Sequence, residues 1–141
     1  MHNRRGESHA WLAPFLFLAF AAGIFACARR RFGRYAVAGT SMLPALREGD
    51  WLIVDLHAYS RRLPGRGEVV VARDPRDPAR PILKRVAYTG SEGACWLLGD
   101  NPPESTDSRA FGPVASAAID GRVLWRYWPP GRFGRIAPRR M

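Results

Sequence analysis

Lys84 is the only lysine in a chain with 22 lysine and arginine residues, so the other 21 are arginine. Arginine serves wherever a solvated positive charge is enough, but it stays protonated in proteins and cannot act as a base. A lysine taken out of water can lose its proton near neutral pH. Lys84 sits in the apolar stretch Pro81-Ile82-Leu83-Lys84-Arg85-Val86. It is a candidate general base, the alternative being a lone surface lysine with no chemical role. Ser41 lies in Gly39-Thr40-Ser41-Met42-Leu43-Pro44-Ala45-Leu46, just after a strand-like run and beside a proline turn. Such a setting exposes a hydroxyl, although a turn serine bonded to its own backbone is the commoner use. A third segment runs Gly99-Asp100-Asn101, then Ser105-Thr106-Asp107-Ser108-Arg109, then Phe111-Gly112-Pro113-Val114.

The elements that position these residues read as short strands. Apolar runs at Tyr35 to Ala38, Trp51 to Leu56, Glu68 to Ala72, Ile82 to Tyr88, Ala94 to Leu98 and Arg122 to Trp128 are rich in β-branched and aromatic residues and too short for helices. Turn chemistry separates them at residues 47–50, 64–67, 74–81 and 90–93. The expectation is a mainly β, antiparallel domain over residues 35–128, followed by a loose basic tail at 129–141. Upstream, Trp11 to Ala28 is uncharged and long enough to span a bilayer as a helix. A membrane anchor at 11–28, after an N-terminal tail at 1–10, is the preferred reading. The others are a signal peptide cleaved after Ala26-Cys27-Ala28 and a lipoprotein site at Cys27. Arg29, Arg30 and Arg31 weigh against secretion, because positive charge after an apolar run resists translocation.

The net charge of +10 comes with arginine clusters at Arg29-Arg30-Arg31-Arg34 and at Arg132, Arg135, Arg139 and Arg140. No nucleic-acid-binding signature accompanies them, so membrane lipid is the expected partner and nucleic acid is not. Cys27 and Cys95 form no disulfide framework, no residues have metal-ligand spacing, and no cofactor is expected.

The three segments, in this order, resemble the boxes of the type I signal peptidase family, membrane-bound serine endopeptidases with a Ser/Lys dyad. The resemblance covers Val37 to about Trp128. The short spacing and the run Trp96-Leu97-Leu98-Gly99-Asp100-Asn101-Pro102 further resemble a compact branch that matures nickel-type superoxide dismutase. The resemblance implies Ser41 as nucleophile and Lys84 as general base. It implies Ser105 as the residue that orients the lysine nitrogen, and Asp107 with Arg109 as an ion pair behind the site. Asp100 and Asn101 shape the loop, and Met42 packs near the lysine. The chemistry agrees, because a serine hydroxyl is a weak nucleophile until a base takes its proton. His57 is the only histidine beyond the apolar run and reads as a surface residue. Two positions depart from the family pattern. Gly39 stands where many members carry a hydroxyl that helps hold the oxyanion, and Ala45 where threonine is usual.

The resemblance implies a precursor protein substrate, bound as an extended strand. One substrate class is exported preproteins cut after small side chains; the other is a cytosolic superoxide dismutase precursor. A self-cleaving repressor shares the dyad but lacks the third segment, and an inactive scaffold would not need both Ser41 and Lys84. The expected location is a cell membrane, crossed once. The side on which the domain lies is left open. Family precedent points to the trans side, whereas Arg29, Arg30, Arg31 and Arg34 against Arg4 and Arg5 favour the cytoplasm.

Overall fold

A computed structural model describes residues 12–139. It divides into two units, an N-terminal segment ending at Arg31 and a domain beginning at Phe32. Arg4, Arg5, Trp11 and Arg140, which figure in the readings above, lie outside the described residues.

The first unit is one helix, α1 (Leu12–Arg31), whose last turn carries Arg29, Arg30 and Arg31. Three positive charges there complement the negative end of the helix dipole. By length and composition α1 can cross a membrane. It runs three residues past the expected end at Ala28, because arginine is a good helix former and does not stop the helix.

The domain is a single antiparallel sheet. Its strands are β1 (Phe32–Ala36), β2 (Trp51–Asp55), β3 (Val69–Asp74), β4 (Asp77–Thr89), β5 (Ala94–Leu98), β6 (Val114–Ala115), β7 (Ile119–Trp128) and β8 (Gly134–Arg135). They lie in the order β1-β2-β7-β3-β4-β5-β6, with β8 on β7. A one-turn helix, α2 (Ser108–Phe111), sits between β5 and β6. The mainly β, antiparallel expectation therefore holds.

Both faces of the sheet are covered. Val69 and Val71 join Val37, Met42, Leu46, Leu52, Val54, Leu83 and Val123 in one core cluster. Val70 and Ala72 join Ile82, Val86, Cys95, Leu97, Val114 and Ile119 in the other. Successive strand residues point to opposite faces, so a strand buried on both sides reads as an unbroken apolar run. That is the pattern of Val69-Val70-Val71-Ala72.

Two expectations need correction. The break foreseen over residues 74–81 shrinks to a turn at Pro75-Arg76, and β4 already starts at Asp77. Pro78 and Pro81 are tolerated because the β4–β5 ladder begins only at Arg85. Residues 77–84 thus have β3 on one side and no strand among the described residues on the other, and an edge accepts proline. The segment after Trp128 is also better ordered than a loose tail. It contains β8, packs Ile136 against the first cluster, and bonds Arg139 N–H to the Gly67 carbonyl at 3.2 Å.

Candidate active site

Ser41 stands on the loop between β1 and β2. The loop is closed at its base by Val37 N–H to the Asp50 carbonyl at 2.8 Å and Gly49 N–H to the Val37 carbonyl at 3.0 Å. Its far turn is held by Leu43 N–H to the Thr40 carbonyl at 3.1 Å and Leu46 N–H to the Met42 carbonyl at 2.9 Å. Met42 and Leu46 are fully buried and pin the loop onto the sheet. Gly39 has φ +79°, a left-handed conformation that strains any residue with a Cβ. The missing hydroxyl at this position thus goes with a backbone that favours glycine.

Lys84 lies opposite Val70 in the β3–β4 register, on the face that carries Ile82 and Val86. Leu83, in the same apolar stretch, belongs to the other cluster with Met42. The lysine is 5% exposed. Its Nζ lies 3.0 Å from Ser41 Oγ, in hydrogen-bond contact. Burial lowers its pKa below the ordinary 10.5; the Asp107 and Asp74 carboxylates oppose that shift, and the Arg80 and Arg76 guanidiniums add to it.

The third segment forms a brace between these two residues. Asn101 donates its backbone N–H to the Ser41 carbonyl at 2.9 Å and its side-chain amide to the Thr40 carbonyl at 3.1 Å. Asp100 accepts from Arg85 Nε at 2.7 Å and Nη2 at 2.6 Å, and Arg85 donates once more to the Gly67 carbonyl at 2.8 Å. Gly99 has no room for a side chain, since a Cβ there would meet Ser105 Oγ and would lie 2.7 Å from the Ser41 carbonyl oxygen.

Asp107 caps α2. It accepts from Arg109 N–H at 3.2 Å, Nε at 2.9 Å and Nη2 at 2.6 Å, from Gly99 N–H at 2.9 Å, and from Ser105 Oγ at 2.7 Å. Burial alone would raise this carboxyl's pKa. The Arg109 guanidinium, the Gly99 amide and the Ser105 hydroxyl outweigh it and hold the group well below the usual carboxylate range. The Asp107–Arg109 pair is thus in place. Ser105, expected to orient the lysine, gives its proton to Asp107. Towards Lys84 the hydroxyl has only lone pairs to offer.

Two clefts flank the pair. One, of about 140 Å³, is lined by Tyr35, Val37, Met42, Ile82 and Leu83 together with Ser41 and Lys84. The other, of about 320 Å³, shares Ser41, Arg80, Ile82 and Lys84 with the first and is lined further by Asp74, Arg76 and Glu104. No group of three or more His, Cys, Asp or Glu side chains that could hold a metal occurs among the described residues. His57 lies in the turn after β2.

Sequence reasoning missed the partner of Asp100 and the acid at Asp74. A signal for the first was available. Alternation places Arg85 on the face opposite Lys84, where a buried guanidinium requires an acid.

The site thus sets a serine hydroxyl against a buried amine, on a loop tied to a β-sheet. The family model for signal peptidase, peptidase S26, matches residues 8–91 and 87–128, and the chain belongs to that family. It is 34% identical over 139 residues to the mitochondrial ATP-independent inner membrane protease subunit 1a of Arabidopsis thaliana, covering 79% of this chain and 83% of that one. It is 35% identical over 117 residues to the mitochondrial inner membrane protease subunit 1 of Homo sapiens, covering 68% and 69%. A subunit 2 of Danio rerio is 34% identical over 123 residues, covering 72% and 67%. These relatives do not support the narrower resemblance to the nickel-type superoxide dismutase branch.

Proposed function

We propose that this chain is a membrane-anchored serine endopeptidase that removes N-terminal signal or leader peptides from precursor proteins, with Ser41 as nucleophile and Lys84 as general base. The observation that carries the reading is the 3.0 Å contact between Ser41 Oγ and the buried Lys84 Nζ. Neutral Lys84 takes the hydroxyl proton as Oγ attacks the scissile carbonyl carbon. The negative charge that develops on the carbonyl oxygen is held by the Ser41 backbone N–H. The resulting ammonium gives its proton to the leaving amine as the C–N bond breaks. Water then attacks the acyl-enzyme in the same way, with Lys84 again the base, and releases the new carboxyl terminus.

Substrate binding as an extended strand is supported by the free edge of β4. Residues 80–83 line the smaller cleft, and no strand among the described residues pairs with them on the side away from β3, where the Tyr35 hydroxyl donates to the Pro81 carbonyl at 3.5 Å. The apolar walls of Val37, Met42 and Ile82 suit small apolar side chains on the acyl side of the cut. Helix α1 supports a single-pass location in a cell membrane, with lipid as the standing partner.

The test is cleavage of a precursor by the full chain in detergent, for the wild type, Ser41→Ala and Lys84→Arg. Both variants should keep the fold by circular dichroism and lose activity. Substantial cleavage by Lys84→Arg would overturn the dyad, since arginine cannot accept the proton.

A further inference from the structure

Two carboxylates, not one, favour the charged form of Lys84, and one of them, Asp74, lines a cleft with it. Asp107 is the cap of α2 described above. Asp74 ends β3, where the register with β4 slips, and it is 1% exposed. Its carboxylate builds the Pro75-Arg76 turn by accepting the Arg76 N–H at 3.0 Å. It also accepts from Arg76 Nε at 2.9 Å and Nη2 at 2.7 Å. Asp74, Arg76, Arg80 and Glu104 line one cleft with Ser41 and Lys84. The Arg76 guanidinium also stacks over Phe111 of α2, 5.4 Å from the ring centre. It therefore joins the β3–β4 turn to the helix that Asp107 caps.

A buried anion near a lysine favours the ammonium and so disables a base. The turn needs Asp74, and the base does not tolerate it uncompensated. In each case an arginine two residues along the chain grips the carboxylate with Nε and Nη2: Arg109 on Asp107, Arg76 on Asp74.

We propose that Arg76 is a positioning residue for catalysis: by holding and neutralising the Asp74 carboxylate it keeps Lys84 available as an uncharged amine. This rests on the Ser/Lys reading above. The charged and titratable groups around Lys84 are few. Ser41 comes from the nucleophile loop, and Asp107 with Arg109 from the start of α2. Asp74 and Arg76 come from β3 and its turn, Arg80 from β4 itself, Glu104 from the 3₁₀ turn Pro102–Glu104, and Tyr35 from β1 across the smaller cleft. Among these, Asp107 and Asp74 pull the lysine towards its charged form, and Arg80 and Arg76 push it away.

The experiment is the pH dependence of kcat/KM for the full chain in detergent, on a precursor peptide that the wild type cleaves. Arg76→Gln should move the acid limb to higher pH by about half a unit or more, roughly a threefold loss on that limb that is recovered by raising the pH. Asp74→Asn should move the limb the other way, and Arg76→Lys should bring it back towards the wild type. A lower rate at every pH with the midpoint unmoved, in folded Arg76→Gln, would make the residue merely structural and overturn the proposal. If Arg76→Gln does not fold, the direction of the Asp74→Asn shift decides; an unmoved or alkaline shift overturns it. Lys84→Arg in parallel separates the two claims. An active Lys84→Arg defeats the dyad, whereas an inactive one with an unmoved Arg76→Gln limb defeats only the role of Arg76.

Discussion

Arg85 and Asp100 meet in a two-pronged ion pair, with Nε and Nη2 at 2.7 and 2.6 Å from the two carboxylate oxygens. Each is the chain neighbour of a residue that sets the site: Arg85 follows Lys84, and Asp100 precedes Asn101, which holds the Ser41 carbonyl. The pair fixes β4 against the loop that holds the Ser41 carbonyl. Its side chains are 2% and 6% exposed. Asp100→Ala strands a buried guanidinium, a loss on the order of 3–5 kcal/mol. The urea midpoint should fall accordingly, and Asp100→Asn, which still offers one acceptor, should fall less.

Cleavage should depend on pH through Lys84. Only the neutral amine accepts a proton, so the rate rises as pH rises through the lysine's pKa and levels off above it. Burial places that pKa below the ordinary 10.5. A pH–rate profile of the wild type checks this, and a rate flat from acid to alkaline pH would assign control to another group.

The same burial has a cost in stability with a definite sign. Between the folded and unfolded pKa values the unfolded chain binds more protons at Lys84, so the domain gains stability as pH rises through that window. Lys84→Met removes this dependence. Denaturant midpoints at several pH values should be flatter for the variant, and higher than the wild type below the window.

Asp107 behaves oppositely. Its folded pKa lies below the ordinary 3.8, so its contribution is complete above that value and is lost as pH falls below it. Asp107→Asn should lower stability at neutral pH and make unfolding less sensitive to acid, as read by denaturant midpoints at pH values on either side of about 4.

Gly99→Ala should damage activity more than folding. The added methyl presses on Ser105 and on the Ser41 carbonyl, and overpacking of this kind costs about 1–3 kcal/mol. A nucleophile displaced by about 1 Å loses on the order of 100-fold in rate. A variant with wild-type kcat would mean that the loop absorbs the methyl elsewhere.

Much of this was legible in the residues. The strands at Trp51–Asp55 and Ala94–Leu98 follow apolar runs that turn residues bound clearly. Ser41 and Lys84 were identifiable because one is framed by a motif and the other is alone of its kind. What was hidden had physical causes. β1 begins at Phe32, inside what reads as a basic flank to the anchor, because arginines on a half-exposed edge strand look like arginines on a linker. The N-terminal part of β4 was masked by prolines, which only strand order reveals as harmless. The partners of Asp100 and Ser105 depend on which faces meet, and spacing along one chain carries no record of that.

Asp50, in the turn that closes the loop carrying Ser41, gives this architecture an order in time. Its buried carboxylate accepts from Arg47 N–H at 2.9 Å and is met by Arg126 at 3.3 Å and Arg132 at 3.0 Å. A ribosome makes Asp50 long before either arginine. Until β7 and the 3₁₀ turn Pro130–Arg132 have emerged, the loop that carries Ser41 rests on a carboxylate without its countercharge. The loop that carries Ser41 is thus charge-balanced only once the last strands of the described domain have been made.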